Sequence, residues 1–454
     1  MTTQTDRLDR SVMTLAGVLI LGAMAPLLDS TIVTIAIHTL GVELHTSVAT
    51  VQWVSTAYLL ALAMAVPITG WSANRFGAKR MWIIALGLFL AGSMLCGVAW
   101  NIGSLIAFRV IQGAGGGLML PILPTILLRA VGRDRIGRLM GVVTLPVVIG
   151  PILGPVLGGL LVGHLDWRWI FYVNVPICLA AIILAIRTLQ PDPAPTAAAL
   201  DVTGLLLVSP AIAAIVYGLS QVGDHGFGHA AVLIPIVLGV ILLAAFVLRR
   251  AAEPLIDLAL FRTRSFAAST ALMFLTGFGL YGAMLLLPLF YQQARGETVT
   301  AAGLLLVPQG IGSLIARTAG GLTDRYGPRP VVLIGIVLTT IGTIPFAISN
   351  LSYWLLAIAL VIRGAGLSAV NLAVMVGAFR DLEPVQLPHA SSTTRIMQQL
   401  GGAFGAATLA VVLQNQLHQH SAAAAYAHSF GWAVAFTVIA AAPALFLPGR
   451  RVLN

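Results

Sequence analysis

Charged residues are scarce in this sequence, and the shortage is the first constraint on what kind of protein it encodes. They occupy 9% of the 454 positions, whereas a soluble domain has about 25%. Of the 25 basic residues only Lys79 is a lysine, and 15 residues are acidic. So few charges cannot cover a water-facing surface, which excludes a soluble globular protein.

Cysteine and catalytic motifs are also lacking. The two cysteines, Cys96 and Cys178, lie inside apolar runs and form neither a disulfide framework nor a metal-ligand spacing. His418-x-His420 has no acid or thiol beside it, so we expect no metal site there. The sequence has no His-Glu-x-x-His, Gly-x-Ser-x-Gly or Gly-x-x-x-x-Gly-Lys-Ser/Thr string. We therefore expect no enzymatic activity, cofactor or metal.

The net charge of +10 does not indicate a nucleic-acid partner. A nucleic-acid site needs basic residues clustered on one face. Here they are dispersed among short polar stretches between apolar runs. We therefore expect no nucleic-acid binding.

Long apolar runs fill most of the chain. Hydrophobic residues make up 58% of it, and the mean hydropathy is +0.97. A bilayer core about 30 Å thick needs roughly 20 apolar residues per helix. The sequence predicts fourteen spans, at 12–37, 49–71, 81–100, 104–128, 138–163, 167–189, 201–220, 230–250, 266–292, 301–322, 331–349, 353–378, 391–414 and 427–447. The predicted class is an all-α integral membrane protein.

The basic residues predict the orientation of these spans. With the N-terminus in the cytoplasm, nearly all of them fall in inner loops, tails and adjoining span ends, and only Arg168 and Arg295 fall in outer loops. We expect a multi-pass protein of the cytoplasmic membrane with both termini inside. Monomer is the expected oligomeric state.

Two polar segments, which we expect to be loops, repeat at an offset of 250 residues. Residues 70–80 and 320–330 align glycine with glycine and Arg75 with Arg325, and each separates two apolar spans. The repeat predicts two six-helix bundles with two extra helices between them, after a Pro-rich linker. The expected domains are 1–190, 191–265 and 266–454. Two facing bundles are the architecture of alternating-access transport.

Several segments in chain order resemble the major facilitator superfamily, in particular its fourteen-helix drug:proton antiporter branch. They are Leu28-Asp29-Ser30-Thr31, Gln52-Trp53 with Tyr58, the two repeated segments, Arg109-Val110-Ile111-Gln112-Gly113, Gly150-Pro151-Ile152-Leu153-Gly154-Pro155 with Gly158, and Trp167 through Pro176. The resemblance covers nearly the whole chain. One departure is Asn74, where the family has an acid, so an ionic latch in the first half is in doubt.

One acid, Asp29, lies well inside a predicted span, where a charge costs roughly 2.5–3.5 kcal/mol. We expect it to carry the transported proton. Arg109 lies at a similar predicted depth, so we hypothesise that it stabilises the ionised carboxylate, with Gln112 one helical turn further on. The alternatives are a purely structural Asp29 and an Arg109 bonded to helix-end carbonyls.

Three further groups of residues are candidates for function. The antiporter helix carries Gly150, Pro151, Gly154, Pro155 and Gly158, for a bend or for close packing. Candidate substrate contacts are Trp53, Tyr58, Phe278, Tyr281, Gln309, Asn371 and Arg363. Candidate gating residues are Gly70, Asn74, Arg75, Gly77, Asp324, Arg325 and Gly327.

The predicted function is proton-coupled export of small hydrophobic or amphipathic compounds, cationic ones included, with a small-molecule substrate and the bilayer as partners. The proton gradient would replace a cofactor. Two alternatives stay open: a facilitator or importer on the same fold, and a non-transporting membrane sensor.

Overall fold

The computed structural model describes residues 10–46, 48–131, 154, 157–158, 160–162, 164–190, 192, 199–249, 255–316, 319–348, 351–383 and 385–449. Within these ranges the ordered elements are helices, and none of the residues forms a strand. Apolar spans adopt helices because a helix satisfies every backbone N–H and C=O group within the segment.

The first half is a series of long helices with short connecting ones. They are α1 (Arg10–Ile35), α2 (Ile37–Glu43), α3 (Val48–Ala65), α4 (Thr69–Phe76), α5 (Ala78–Gly97), α6 (Ile102–Val131), α7 (Trp169–Tyr172) and α8 (Asn174–Thr188). Residues 154, 157–158, 160–162 and 164 are also helical.

The second half repeats this pattern after an inserted helix pair. The insert consists of α9 (Val202–Ser220), α10 (Val222–His225) and α11 (Ala230–Leu248). Then follow α12 (Arg264–Leu289), α13 (Val299–Leu305), α14 (Val307–Ile315), α15 (Ala319–Tyr326), α16 (Pro328–Thr343), α17 (Tyr353–Phe379), α18 (Leu387–Gln419), α19 (Ala422–Ile439) and α20 (Ala441–Ala444). Three short turns of other helix types are Leu258–Arg262, Phe290–Ala294 and Ile344–Ala347.

Eleven helices of the described chain are long and apolar enough to cross a membrane, and twelve if α3 and α4 form one bent span. The bend between Trp53–Ala65 and Thr69–Phe76 is 56°. The predicted span at 301–322 consists of three short helices, so it does not count among the twelve. Most of the predicted span at 138–163 lies outside the described residues. The chain is a multi-pass membrane protein.

The two repeated segments, expected to be loops, are mostly helical. Helix α4 continues to Phe76 and α15 to Tyr326, and each is followed by a single glycine before the next helix starts. Gly77 has φ +93° and Gly327 has φ +84°, a region that favours glycine. The loop prediction was wrong because one left-handed residue is enough to join two helices there.

Equivalent helices make equivalent contacts in the two halves. Helices α5 and α6 pack together as α16 and α17 do, and α1 contacts α6 and α8 as α12 contacts α17 and α19. The inserted pair packs on α3, where Ser209 Oγ donates to Met64 O at 2.8 Å. Much of α11 is exposed apolar surface, as expected of a helix that faces lipid.

The halves meet at the end of the bundle that holds residues 70–80 and 320–330, here called the motif side. Ser391 Oγ donates to Pro121 O at 2.7 Å, and Asn74 Nδ2 donates to Val385 O at 3.1 Å. A Cβ added to Gly70 would lie 2.9 Å from His389 Nδ1. One continuous apolar cluster includes residues of both halves, among them Leu123 and Phe379. The structure is therefore closed on the motif side.

Candidate functional site

The Asp29 carboxylate lies at the centre of the first half and is fully buried, at 0% exposure. It accepts hydrogen bonds from three side chains, two on α6 and one on α8. Arg109 Nη1 on α6 donates to Oδ2 in a buried ion pair. Gln112 Nε2 donates to Oδ1 at 2.9 Å, and Asn174 Nδ2 on α8 donates to the same oxygen at 3.1 Å. The carboxylate thus ties α1, α6 and α8 together.

The Arg109 guanidinium contacts a backbone carbonyl, a side-chain amide and an aromatic ring. Its Nε donates to the backbone carbonyl of Val54 at 3.1 Å, and Nη1 also donates to Gln112 Oε1 at 2.6 Å. The Tyr58 ring lies 4.0 Å from the guanidinium carbon, a cation–π distance. Tyr58 is fixed in turn because its hydroxyl donates to Pro26 O at 3.1 Å. Burial at 1% exposure leaves the charge dependent on these partners.

A second layer of polar groups positions the amides. Ser93 Oγ on α5 accepts from Gln112 Nε2 at 2.6 Å and from Asn174 Nδ2 at 3.3 Å. Cys96 Sγ donates to Gln112 Oε1 at 3.7 Å. Asn174 Oδ1 is buried and has no hydrogen-bond partner among the described residues. The network is therefore nearly, but not completely, satisfied.

The side chains around Asp29 match the hydrogen-bonding pattern of a carboxylate. An ionised carboxylate only accepts hydrogen bonds, and all three neighbours are donors. A proton on Asp29 would remove the charge that Arg109 balances and would leave a buried cation with neutral partners. Breaking one side of a buried ion pair costs about 3–5 kcal/mol. Protonation must therefore rearrange the network, and this makes Asp29 suitable as a switch.

The described part of the antiporter helix lies close to this network. A Cβ added to Gly154 would be 1.9 Å from Thr31 Oγ1 and 3.2 Å from Leu28 O. Gly158 is helical and buried. Gly150, Pro151 and Pro155 lie outside the described residues. The two described glycines are thus consistent with close packing, and Gly154 contacts α1 beside Asp29.

Three of the aromatic candidates pack against an aromatic ring or a guanidinium of the described chain. Trp53 is 42% exposed and stacks on Tyr217 of the inserted pair, with ring centroids 5.7 Å apart. Tyr58 lies on Arg109, as described above. Phe278 is buried with its ring 4.4 Å from that of Phe436.

The remaining substrate candidates lie in the second half. Arg363 and Gln309 are in contact, since Arg363 Nη1 donates to Gln309 Oε1 at 2.6 Å. The Tyr281 ring packs on Gly402, where an added Cβ would approach it to 2.5 Å. Asn371 is half-buried in α17 and makes no hydrogen bond within the described chain. These residues do not form one cluster with Asp29.

The gating candidates differ between the two halves. Gly70 and Asn74 contact the second half directly. Asp192 accepts from the backbone N–H of Lys79 at 3.0 Å and of Arg80 at 3.3 Å, so it caps the start of α5 beside Gly77. The side chains of Arg75, Asp324 and Arg325 are exposed on the motif side, and Gly327 is the positive-φ turn described above.

Sequence reasoning missed Ser93 and gave Asn174 no role. Small polar residues in apolar spans commonly bond to their own helix backbone, so neither residue stood out. The available signal for Asn174 was its place in the segment 167–176, next to the start of a span. Across the described residues, no group of three or more His, Cys, Asp or Glu side chains forms a metal site.

Comparisons with known proteins show the family and the fold of this chain. The model of the Major Facilitator Superfamily matches residues 18–406 and 270–451. A multidrug resistance protein B homolog of Mycobacterium tuberculosis is 39% identical over 91% of this chain and 78% of its own length. A tetracenomycin C resistance and export protein of Streptomyces glaucescens is 32% identical, over 87% and 75% respectively. The solved structure of the proton:xylose symporter XylE has a TM-score of 0.65 at 15% identity, over 96% of both chains.

Proposed function

Because the chain belongs to the Major Facilitator Superfamily, whose members are transporters rather than enzymes, we propose that it exports small hydrophobic or amphipathic drugs in exchange for protons. Relatives named for multidrug and tetracenomycin C resistance support the choice of cargo. The single observation that carries proton coupling is the buried Asp29, bonded to Arg109 across two helices.

The proposed cycle uses the Asp29 network as its switch. A proton arriving from outside neutralises Asp29 and releases Arg109, and the two bundles then rock to open the motif side. Cargo binding on that side favours loss of the proton to the cytoplasm and re-formation of the ion pair. The closed motif side corresponds to a state that is sealed towards the cytoplasm.

The proposed topology has fourteen spans and two cytoplasmic termini in the cytoplasmic membrane. The two spans beyond the twelve are 138–163 and 301–322, the second built from three short helices. The distribution of arginines supports the orientation. We propose a monomer that works without cofactor or metal.

The energetics are sufficient for export. One charge moving through 100 mV supplies about 2.3 kcal/mol, and tenfold accumulation requires about 1.4 kcal/mol. One proton per cycle therefore sustains a gradient of roughly forty-fold for a neutral compound at that potential.

Drug susceptibility in an efflux-deficient bacterial host tests the proposal. The wild type should raise the inhibitory concentration of ethidium and similar compounds several-fold, and Asp29→Asn should abolish this at equal expression. Asp166→Asn is the matched control, because Asp166 is 51% exposed in a surface pair with Arg168. Full resistance from Asp29→Asn would refute proton coupling through this residue. No resistance from the wild type, together with uptake down a gradient, would favour a facilitator.

A further inference from the structure

The second half contains a buried arginine without a carboxylate partner among the residues that the structure describes. Arg363 on α17 is 3% exposed. It makes two hydrogen bonds to described residues, from Nη1 to Gln309 Oε1 at 2.6 Å and from Nη2 to Gly279 O at 3.3 Å. Both acceptors are neutral. A guanidinium has five N–H donors and stays protonated, so part of its hydrogen-bonding capacity and all of its charge remain available.

A small cavity of about 30 Å³ lies beside this guanidinium. Four helices, α12, α16, α17 and α19, contribute its walls, which include Thr276, Gly279, Thr339 and Thr437. Gly279 lines the cavity, and a Cβ added to it would meet no atom within 4 Å, so there is room for a side chain at this position. A volume of this size admits a water molecule or one small ion.

The cavity occupies the position that corresponds to the Asp29 site of the first half. Helices α12, α16, α17 and α19 are the repeat equivalents of α1, α5, α6 and α8, which surround Asp29. Arg363 follows Arg109 by 254 residues, and Gly279 follows Asp29 by 250. In the first half a carboxylate fills this place and balances the arginine. In the second half the corresponding residue is a glycine, so it neither fills the space nor balances the charge of Arg363.

We propose that the cavity beside Arg363 binds a small monovalent anion, either a free chloride ion or a carboxylate group of the cargo. The anion would pair with Arg363 as the Asp29 carboxylate pairs with Arg109, but it would come from outside the chain. Binding of free chloride does not depend on the proposed export function, whereas binding of a cargo carboxylate rests on it.

The threonines of the cavity restrict which atoms hold the anion. Thr276 Oγ1 donates to Leu272 O at 2.6 Å and Thr339 Oγ1 donates to Gly335 O at 2.8 Å. Their hydroxyl hydrogens are therefore already used, and the remaining Arg363 N–H groups are the donors for the anion. A water molecule is the competing occupant, since it would accept from Arg363 and donate to the threonine oxygens.

Thermal unfolding of the purified full chain in detergent tests the site. Sodium chloride would replace sodium isethionate, a bulkier sulfonate, at constant ionic strength, with sodium acetate as the carboxylate probe. The wild-type midpoint should rise saturably by roughly 2–4 °C. Arg363→Gln should abolish the rise. Gly279→Asp should also abolish it, because its own carboxylate would occupy the cavity and pair with Arg363.

Gly228→Asp is the matched control, because it adds the same charge at an exposed glycine with open space and should respond like the wild type. Bromide-soaked crystals of the wild type should give an anomalous peak beside Arg363. No saturable effect of chloride or acetate, with no bromide peak, would mean that the cavity holds water only and would overturn the proposal. An undiminished effect in Gly279→Asp would overturn it as well.

Two dyes separate the sources of the anion. If the cargo supplies it, export of fluorescein should fall several-fold in Arg363→Gln and in high chloride, while export of its methyl ester should not change. If chloride is the ligand, Arg363→Gln and high chloride should change the export of both dyes to the same extent. The dye experiments require a protein that exports, whereas the unfolding and diffraction measurements do not. If the protein exports neither dye, the proposed function fails, and the anion site is still tested by unfolding and diffraction.

Discussion

The two halves of the molecule place an arginine at equivalent positions and balance it in different ways. Arg109 is paired with the Asp29 carboxylate and stacked on Tyr58, whereas Arg363 has only neutral oxygen partners within the described chain. A carboxylate can take up a proton, but an amide and a backbone carbonyl cannot. The proposed function places proton uptake in the first half, and the proposed anion site places a fixed positive charge in the second. One repeated bundle can therefore provide two unlike sites.

The largest expected effect is a difference in stability between the variants that replace Arg109 and Arg363. Arg109→Gln leaves Asp29 buried without its counter-charge and should lower the free energy of unfolding by about 3–5 kcal/mol. Arg363→Gln removes a buried cation that has no counter-charge among the described residues, and it should change stability by less than about 1 kcal/mol in sodium isethionate. Chemical denaturation of both variants measures the contrast.

A double variant is the control for this pair. Asp29→Asn with Arg109→Gln removes both charges and should recover most of the lost stability without recovering export. Equal losses for the two single arginine variants would contradict the proposed difference between the halves.

A smaller loss is expected from Asn174→Ala. It removes one donor to the Asp29 carboxylate and should cost about 1–3 kcal/mol. Asn371→Ala is the control in the second half, because Asn371 is half-buried and bonds to no described residue. Urea titrations of the two variants should differ clearly, and indistinguishable curves would mean that the carboxylate does not need its third donor.

The Asp201–Arg249 ion pair shows how much an ionic contact at the ends of the inserted helices contributes to stability. Burial would raise the pKa of Asp201, but hydrogen bonds from Arg249, Gly204 and Leu255 together with the charge of Arg249 hold it below 3.8. This stabilisation is complete above the unfolded pKa and is lost as the pH falls through the lower folded value. Because the Asp201 side chain is 3% exposed and hydrogen-bonded, Asp201→Asn should cost about 1–3 kcal/mol at pH 7.

Unfolding midpoints of the wild type and Asp201→Asn should therefore differ at pH 7 and converge at pH values below about 3.8. A difference that persists unchanged in acid would show that the pair does not act through charge.

The smallest effect is expected at the motif side. Asn74→Asp restores the acid that the second half has as Asp324, yet Asn74 already donates to Val385 O. Export should stay within about twofold of the wild type, as measured by ethidium efflux from cells, because an exposed contact contributes little. A loss of more than tenfold would show that Asn74 is essential for closure.

Sequence reasoning identified the acid and its arginine because both are rare inside apolar spans and lie at similar depth. It did not identify Ser93 or the carbonyl of Val54, since only the packing of α3 and α5 brings them to the network. The helical form of residues 70–76 was also missed, because the polar sequence resembles a loop and one glycine makes the turn. The inserted pair was expected, whereas the contact of Trp53 with Tyr217 depends on how the pair docks.

Proton release on drug binding is the most direct test of the account. The purified protein in weakly buffered detergent solution, mixed with ethidium and a pH indicator, should release protons on binding, at most one per molecule, since Asp29 is the proposed carrier. Asp29→Asn should bind ethidium but release no proton. Equal proton release by Asp29→Asn and the wild type would contradict the claim that this carboxylate couples proton to cargo.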